Sequence, residues 1–178
     1  MLNNLKFLAL FLINVILAIL PTFTLRTLFL RLLGFKVGRD VTVHRGLRLA
    51  GIKSVSIGDF STINHSVYLD NRVEIFIGKN VTLANNVKIH TLGHDINCSE
   101  FSTVGHTVRI GDDSVVFTGA AVMPGVSLAE KTVLYPYSLM TRDSKKREVW
   151  GGNPANPLRL REIKAVNYKA TYRQWLGN

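Results

Sequence analysis

"IGDFSTINHSVYLDNRVEIFIGKNVTLANNVKI" (Ile57–Ile89) repeats itself every six residues. Aliphatic side chains stand at Ile57, Ile63 and Leu69, then at Ile77, Leu83 and Ile89. Neither the 3.6-residue period of a helix nor the two-residue alternation of a half-buried strand fits this spacing. The pattern extends outward on both sides, through Val37, Val43 and Leu49 before it and Ile110, Val116, Val122, Leu128, Leu134 and Met140 after it. Four residues beyond most of these positions the side chain is small or β-branched, as at Ser61, Val67, Val81, Ser114, Ala120, Thr132 and Ser138. Glycine follows the aliphatic residue in "VGRD", "IGDF", "IGKN" and "IGDD", where a corner is expected to need an unusual backbone conformation.

Self-similarity at a short fixed period marks a solenoid. Each unit supplies one short strand and one corner, and three units close a triangular coil with the aliphatic residue inside. Val37, Ile57 and Ile77 are twenty residues apart, so the early coils carry a two-residue bulge, whereas Ile110 and Leu128 are eighteen apart. A β-sandwich would show hairpin turns and alternation, and neither is present. The expected architecture is an all-β solenoid over 37–143, with N-terminal apolar helices over 1–36 and a basic turn and short helical tail over 144–178. Both terminal segments would cap the open hydrophobic axis.

The chain has 178 residues, enough for one domain with a substantial core. Its single cysteine, Cys98, excludes a disulfide framework and fits a reducing compartment; without an activating neighbour in sequence it reads as inert. The formal charge of +10 is confined to the ends. Basic residues exceed acidic ones by six in 1–48 and by six in 142–178, and fall two short between. No basic recognition helix or interleaved aromatic pattern points to nucleic acid. An anionic lipid surface at one end and an anionic ligand at the other account for the split.

The N-terminal run "FLALFLINVILAIL" (Phe7–Leu20) holds one polar residue, Asn14, and stops at Pro21. As a helix it would span about 21 Å, short of the ~30 Å hydrocarbon core. A signal peptide would need small residues at a cleavage site, and Pro21–Thr24 lacks them. A second apolar helix, "LRTLFLRLLGF" (Leu25–Phe35), follows with Gly34 as its C-cap. The pair is expected to dip into one leaflet, with Arg26, Arg31, Lys36 and Arg39 near anionic headgroups. Such helices would otherwise serve only to cover the end of the solenoid.

One interruption breaks the repeat, a loop over 90–107 that begins "HTLGHDINCSEF" (His90–Phe101). A loop leaving a rigid solenoid carries chemistry without disturbing the core. His94 is its candidate base, since an imidazole has a suitable pKa to take a proton from a hydroxyl. Asp95 is the candidate that orients it, His90 a polar residue at the loop's root, and His44 and His65 surface positions on the prism.

The repeat, the "GHD" loop, "AAVMPGVSL" (Ala120–Leu128) and "GGNPAN" (Gly151–Asn156), in this order, resemble the left-handed β-helix, hexapeptide-repeat acyltransferases. The resemblance covers roughly residues 30–161 and lies nearest the O-acetyltransferases of bacterial exopolysaccharide, capsule and O-antigen synthesis. It implies a left-handed helix and a homotrimer with active sites between neighbouring prisms. The implied donor is acetyl-CoA, the acceptor a sugar or lipid-linked glycan, and the location the cytoplasmic face of the inner membrane. The match to "GHD" implies that His94 deprotonates the acceptor hydroxyl. Asn85 and Asn86 fall where members contact the acceptor sugar, although asparagine also suits a plain corner. Gly119 falls where a backbone N–H faces the thioester and would stabilise the oxyanion. Thr141 and Arg142 match a Thr-Lys at the end of the last coil, and Arg159 and Arg161 fall where cations meet the nucleotide phosphates. "LYPYS" (Leu134–Ser138) departs from the small residues usual there, so Tyr135 and Tyr137 would narrow the pantetheine channel or face outward.

Three other readings remain at this point. The acceptor could be an amine of a sugar or amino acid. The chain could be a non-catalytic β-helical scaffold with a blocked groove. Hexapeptide β-helices also include zinc carbonic anhydrases, and His65, His90 and His94 would supply three imidazoles. No three histidines occupy matching places on successive coils, so no metal is expected.

Overall fold

The computed structural model describes residues 2–52, 55–163 and 166–169. After two helices, α1 (Leu2–Ile19) and α2 (Phe23–Leu32), the chain winds into a three-faced parallel β-solenoid. The first face stacks Lys36–Val37, Val55–Ile57, Ile75–Ile77, Val108–Ile110 and Ser127–Leu128. The second stacks Thr42–Val43, Thr62–Ile63, Thr82–Leu83, Val115–Val116 and Val133–Leu134. The third stacks Arg48–Leu49, Tyr68–Leu69, Lys88–Ile89, Ala121–Val122 and Leu139–Met140. The register aligns the repeat's aliphatic positions, Ile57 on Ile77 on Ile110 on Leu128, so each face contributes one continuous inner row. Val43, Ile63, Leu83, Val116 and Leu134 are fully buried. Each such side chain contributes about 1.5–3 kcal/mol.

The corners explain the small fourth residue. Ser61 Oγ donates to Gly78 O at 2.8 Å and accepts from Val81 N at 3.0 Å. Ser114 repeats the arrangement two coils on, toward Ala129 O and Thr132 N. A buried hydroxyl thus replaces ladder bonds that the corner breaks.

The glycines differ from expectation in their reason. In "IGDF", "IGKN" and "IGDD" the left-handed residue is not the glycine but the one two places on: Phe60, Asn80 and Asp113, with φ of 62°, 52° and 59°. Gly58 is required by closeness instead, because a Cβ there would stand 2.6 Å from the backbone of Gly78 in the next coil. Stacked corners leave no room for a side chain.

The open first coil is capped by polar groups from the apolar helices. Asn14 of α1 accepts from Leu49 N at 2.9 Å and donates to Leu49 O at 3.0 Å, completing an edge strand as a neighbouring coil would. Arg26 of α2 is fully buried and donates to Val43 O and Leu20 O. The expected headgroup role of Arg26 is therefore overturned: its charge-assisted donors satisfy buried carbonyls at the solenoid's end. Arg31, also expected at headgroups, is exposed but donates to Val37 O and Gly38 O.

The far end is closed by an antiparallel hairpin, Glu148–Gly152 with Ala155–Leu160, whose first strand extends the second face and buries Trp150. The stretch expected to begin a helical tail is strand through Leu160. No helix follows α2 among the described residues, and 164–165 and 170–178 lie outside them. Asn14→Leu preserves helix and volume but leaves two buried backbone groups without their partner. We expect a loss of about 2 kcal/mol in urea unfolding; an unchanged midpoint would contradict the capping role.

Candidate active site

The third face positions the site. His90 keeps the coil ladder, donating its N–H to Val122 O at 2.9 Å, and the chain then departs at Thr91. Thr91 is fully buried; its hydroxyl donates to Asp70 O and accepts from Val73 N. Asp70, directly beneath His90 in the stack, is also fully buried. Arg72 grips its carboxylate with two bonds, at 2.7 and 2.8 Å. Burial pushes the Asp70 pKa up, but the Arg72 guanidinium outweighs it and holds the carboxyl below its ordinary range. This clamp fixes the root from which a two-stranded hairpin rises, Leu92–His94 paired with Thr103–Gly105.

His94 ends the first hairpin strand, exposed to solvent. Its Nδ1 lies 2.8 Å from Phe101 O, and its ring stacks on the Phe101 ring at 4.4 Å and 3°. A carbonyl only accepts, so Nδ1 carries the proton and the lone pair of Nε2 faces outward, ready to take another. Phe101 turns its carbonyl back through a left-handed backbone, φ 48°. The hairpin tip is locked by Asp95 N donating to Ser102 O, Cys98 N to Asp95 O and Phe101 N to Cys98 O.

The orienting role expected of Asp95 falls to Phe101. Asp95 Oδ1 accepts from Asn97 N at 2.9 Å, capping its own turn rather than holding the imidazole. Cys98 Sγ lies 3.0 Å from Ser102 Oγ, and that bond holds its thiol below the ordinary range. His90 is half-buried beside Tyr68; burial holds its imidazole below the usual histidine range, against the pull of Asp70. His44 and His65, expected as separate surface positions, pair Nδ1 to Nε2 at 3.0 Å, and Phe23 of α2 lies against His44. The three imidazoles weighed for zinc thus have three different partners, and among the described residues no three His, Cys, Asp or Glu side chains gather as a metal site.

Asn85, Asn86 and Gly119 meet at the corner between second and third faces. Each corner N–H there donates to the coil before it: Asn86 N to His65 O, Gly119 N to Asn85 O at 2.9 Å, Tyr137 N to Thr118 O. The N–H of Gly119, expected to face the thioester, donates to Asn85 O in this ladder. Gly119 takes the left-handed φ of this corner, 70°, as Asn86 and Tyr137 do, and its missing side chain makes room for the Tyr137 ring, which a Cβ would meet at 2.5 Å. Asn85 and Asn86 are both exposed; Asn85 Oδ1 accepts from His65 N, and Asn86 is the left-handed corner residue, φ 60°.

At the C-terminal end, Thr141 is exposed and Arg142 lies over Trp150 while donating to Asn156 Oδ1. Arg159 donates to the Tyr135 hydroxyl, and Arg161 reaches a different corner, donating to Asp113 O. The three arginines thus have different hydrogen-bond partners. Tyr137 is 75% exposed, lying across Gly119, and Tyr135 packs by Phe117.

No protein-family model matches the chain. The putative colanic acid biosynthesis acetyltransferase WcaF of Escherichia coli (strain K12) is 27% identical over 136 residues, 76% of this chain and 75% of that one. A maltose O-acetyltransferase from Clostridium difficile 630 has a TM-score of 0.82 at 25% identity, covering 89% of this chain and 87% of that one. The chain thus shares the fold of the hexapeptide-repeat acetyltransferases and is similar in sequence to acetyltransferases. A hexapeptide-repeat acetyltransferase from Vibrio cholerae, solved with acetyl coenzyme A, shares the fold with a TM-score of 0.80 at 22% identity, over 86% of each chain.

Within this hexapeptide-repeat scaffold, sequence reasoning missed Phe101, Thr91 and the Asp70–Arg72 clamp. Asp-x-Arg is too common a pattern to single out, and nothing local marks Phe101 as the carbonyl that folds back. Phe101→Gly retains the left-handed backbone and removes the ring. In 15N spectra at neutral pH we expect His94 to keep its Nδ1–H tautomer in this variant while the ring-current shift disappears. A switch to the Nε2–H form in wild type would refute the geometry.

Proposed function

We propose that the chain is an acetyl-CoA-dependent O-acetyltransferase that acts on a sugar hydroxyl in bacterial surface polysaccharide synthesis. The observation that carries this reading is His94: an exposed imidazole with Nδ1 pinned and Nε2 open, on a hairpin clamped to a rigid prism. The acetyltransferase names of its relatives, colanic acid biosynthesis among them, support the reaction class and the pathway.

The chemistry follows from that nitrogen. As the acceptor oxygen attacks the thioester carbonyl carbon, Nε2 takes its proton, and the Phe101 carbonyl stabilises the resulting imidazolium through Nδ1–H. Collapse of the tetrahedral adduct breaks the C–S bond, and the imidazolium returns the proton to the departing thiolate. Attack on the thioester is direct in this reading, and no G-x-S-x-G elbow is present to argue otherwise. The oxyanion takes its donors from groups other than the Gly119 N–H. Arg142 and Arg159, exposed at the C-terminal cap, are the cations assigned to the CoA phosphates. The trimer implied by the resemblance would bring the protruding hairpin, with Ile96 and Phe101 exposed at its tip, against a neighbouring prism.

His94→Ala should lower kcat/KM by about 10²–10⁴, with CoA binding and melting temperature unchanged. Activity within tenfold of wild type would overturn the assignment.

The N-terminal helices carry the cellular side of the proposal. Phe7, Leu8, Phe11, Leu12, Val15 and Ile19 are all exposed on α1, as are Leu25, Leu28 and Leu32 on α2. No helix among the described residues is long and apolar enough to cross a membrane. The pair therefore lies in the interface of one leaflet, with Lys6, Lys36 and Arg39 toward anionic headgroups at the cytoplasmic face. Flotation with vesicles containing phosphatidylglycerol should bring the protein to the top of the gradient. Phe7→Ser/Phe11→Ser should leave it at the bottom; a soluble wild type would refute the anchor.

A further inference from the structure

One outward row of the third face is unlike the rest of the surface. Arg48, Tyr68 and Lys88 occupy the same position in the first three coils and are partners in register. Arg48 and Lys88 are exposed and Tyr68 half-buried between them. At the ~4.8 Å spacing of adjacent strands the backbone positions of the two cations stand about 10 Å apart. Arg72 borders the row with its side chain 46% exposed, and the carboxylate that faces it, Asp70, is fully buried and engaged by it. In the last two coils the same row holds Ala121 and Leu139, so the charge ends where the hairpin leaves.

The position of the row matters as much as its charge. Its lower end is the strand Arg48–Leu49, the one that Asn14 of α1 completes. Its upper end is Lys88, two residues before His90, where the His94 hairpin begins, and the Tyr68 ring lies against His90. The row therefore runs from the docking strand of the apolar helix to the root of the candidate base. It is also remote in the chain from the cations assigned to CoA, Arg142 and Arg159.

We infer that Arg48, Lys88 and Arg72, with the Tyr68 hydroxyl, bind the phosphates of a glycosyl diphosphate acceptor. This rests on the O-acetyltransferase reading and names the class of its substrate. Guanidinium and ammonium groups spaced along a strand row match two linked phosphates, and an unphosphorylated sugar would leave them without a role. The acceptor's diphosphate would thereby be held beside the root of the hairpin that carries His94. The diphosphate could link the sugar to a nucleoside or to a polyprenol; both present the same group to the row.

The test is calorimetric titration of inorganic pyrophosphate into the full chain in detergent, with CoA saturating so that its own phosphate site is filled. We expect binding, weakened roughly tenfold or more in Arg48→Ala/Lys88→Ala by loss of two charge-assisted contacts. Lys146→Ala, which removes a cation paired with Glu130 elsewhere, should bind as wild type. No binding to wild type, or equal binding to the double variant, overturns the inference. Competition by UDP-glucose against a polyprenyl-diphosphate-linked glucose in micelles then identifies the source by which displaces pyrophosphate more strongly; displacement by neither also overturns it. CoA binding and thiol release are scored separately. A chain that binds pyrophosphate at this row without releasing CoA thiol fails the acetyltransferase reading alone.

Discussion

Coil-on-coil stacking is the constraint from which the rest of this molecule follows. Parallel strands about 4.8 Å apart leave no space at a corner for a side chain directed along the axis, which is why Gly58 admits no Cβ. The same closeness makes each corner residue donate its N–H to the coil before it, from Ser66 through Asn86 and Gly119 to Tyr137. It also forces the left-handed backbone at one residue in each corner from the first face to the second and from the second to the third, whatever its type: Asp, Asn, Phe, Lys and Tyr all adopt it here. An aliphatic interior supplies the driving force, but the corners decide which residues fit.

That constraint bears directly on catalysis. A corner N–H that stitches two coils is already engaged, as at Gly119, so a group free to meet substrate calls for a segment outside the ladder. The hairpin meets the requirement by leaving the ladder altogether. Once past Thr91 the backbone pairs with itself, and the left-handed turn at Phe101 aims a carbonyl at His94. The Asp70 carboxylate is costly to bury, and its pair with the half-exposed Arg72 is best understood as fixing geometry. It pins the coil below the point of departure, where any rotation would be magnified at the imidazole.

The solenoid was legible in the sequence because its signal is additive. Fifteen aliphatic positions fall in register, and no single one needs interpretation. His94 was legible because a histidine in the one interruption stands out against a regular background. What could not be read were contacts between residues far apart in the chain or dependent on backbone direction. Asn14 looked like a blemish in an apolar helix until Leu49, thirty-five residues away, supplied its partner. Arg26 sat in a charge pattern that suits a headgroup, yet burial against Val43 gave it a different task. Phe101 acts through its carbonyl, which carries no side-chain signature at all. Asp95 misled for the opposite reason, since adjacency to His94 in sequence points its side chain along the turn rather than toward the ring.

The polar residues in the apolar helices link anchoring to chemistry. A helix held to the prism only by hydrophobic contact would be free to rotate about its axis, since one apolar face packs about as well as another. Asn14 removes that freedom by bonding one strand's donor and acceptor together, and Arg26 does so for α2. The strand that Asn14 completes belongs to the third face, and that face launches the His94 hairpin two coils later. The strand that Asn14 completes and the cation row thus lie on a single sheet, and the His94 hairpin leaves from the end of that row. Under the proposed anchoring, the root of the His94 hairpin stands two coils above the strand that Asn14 completes, a height set by the stacking distance.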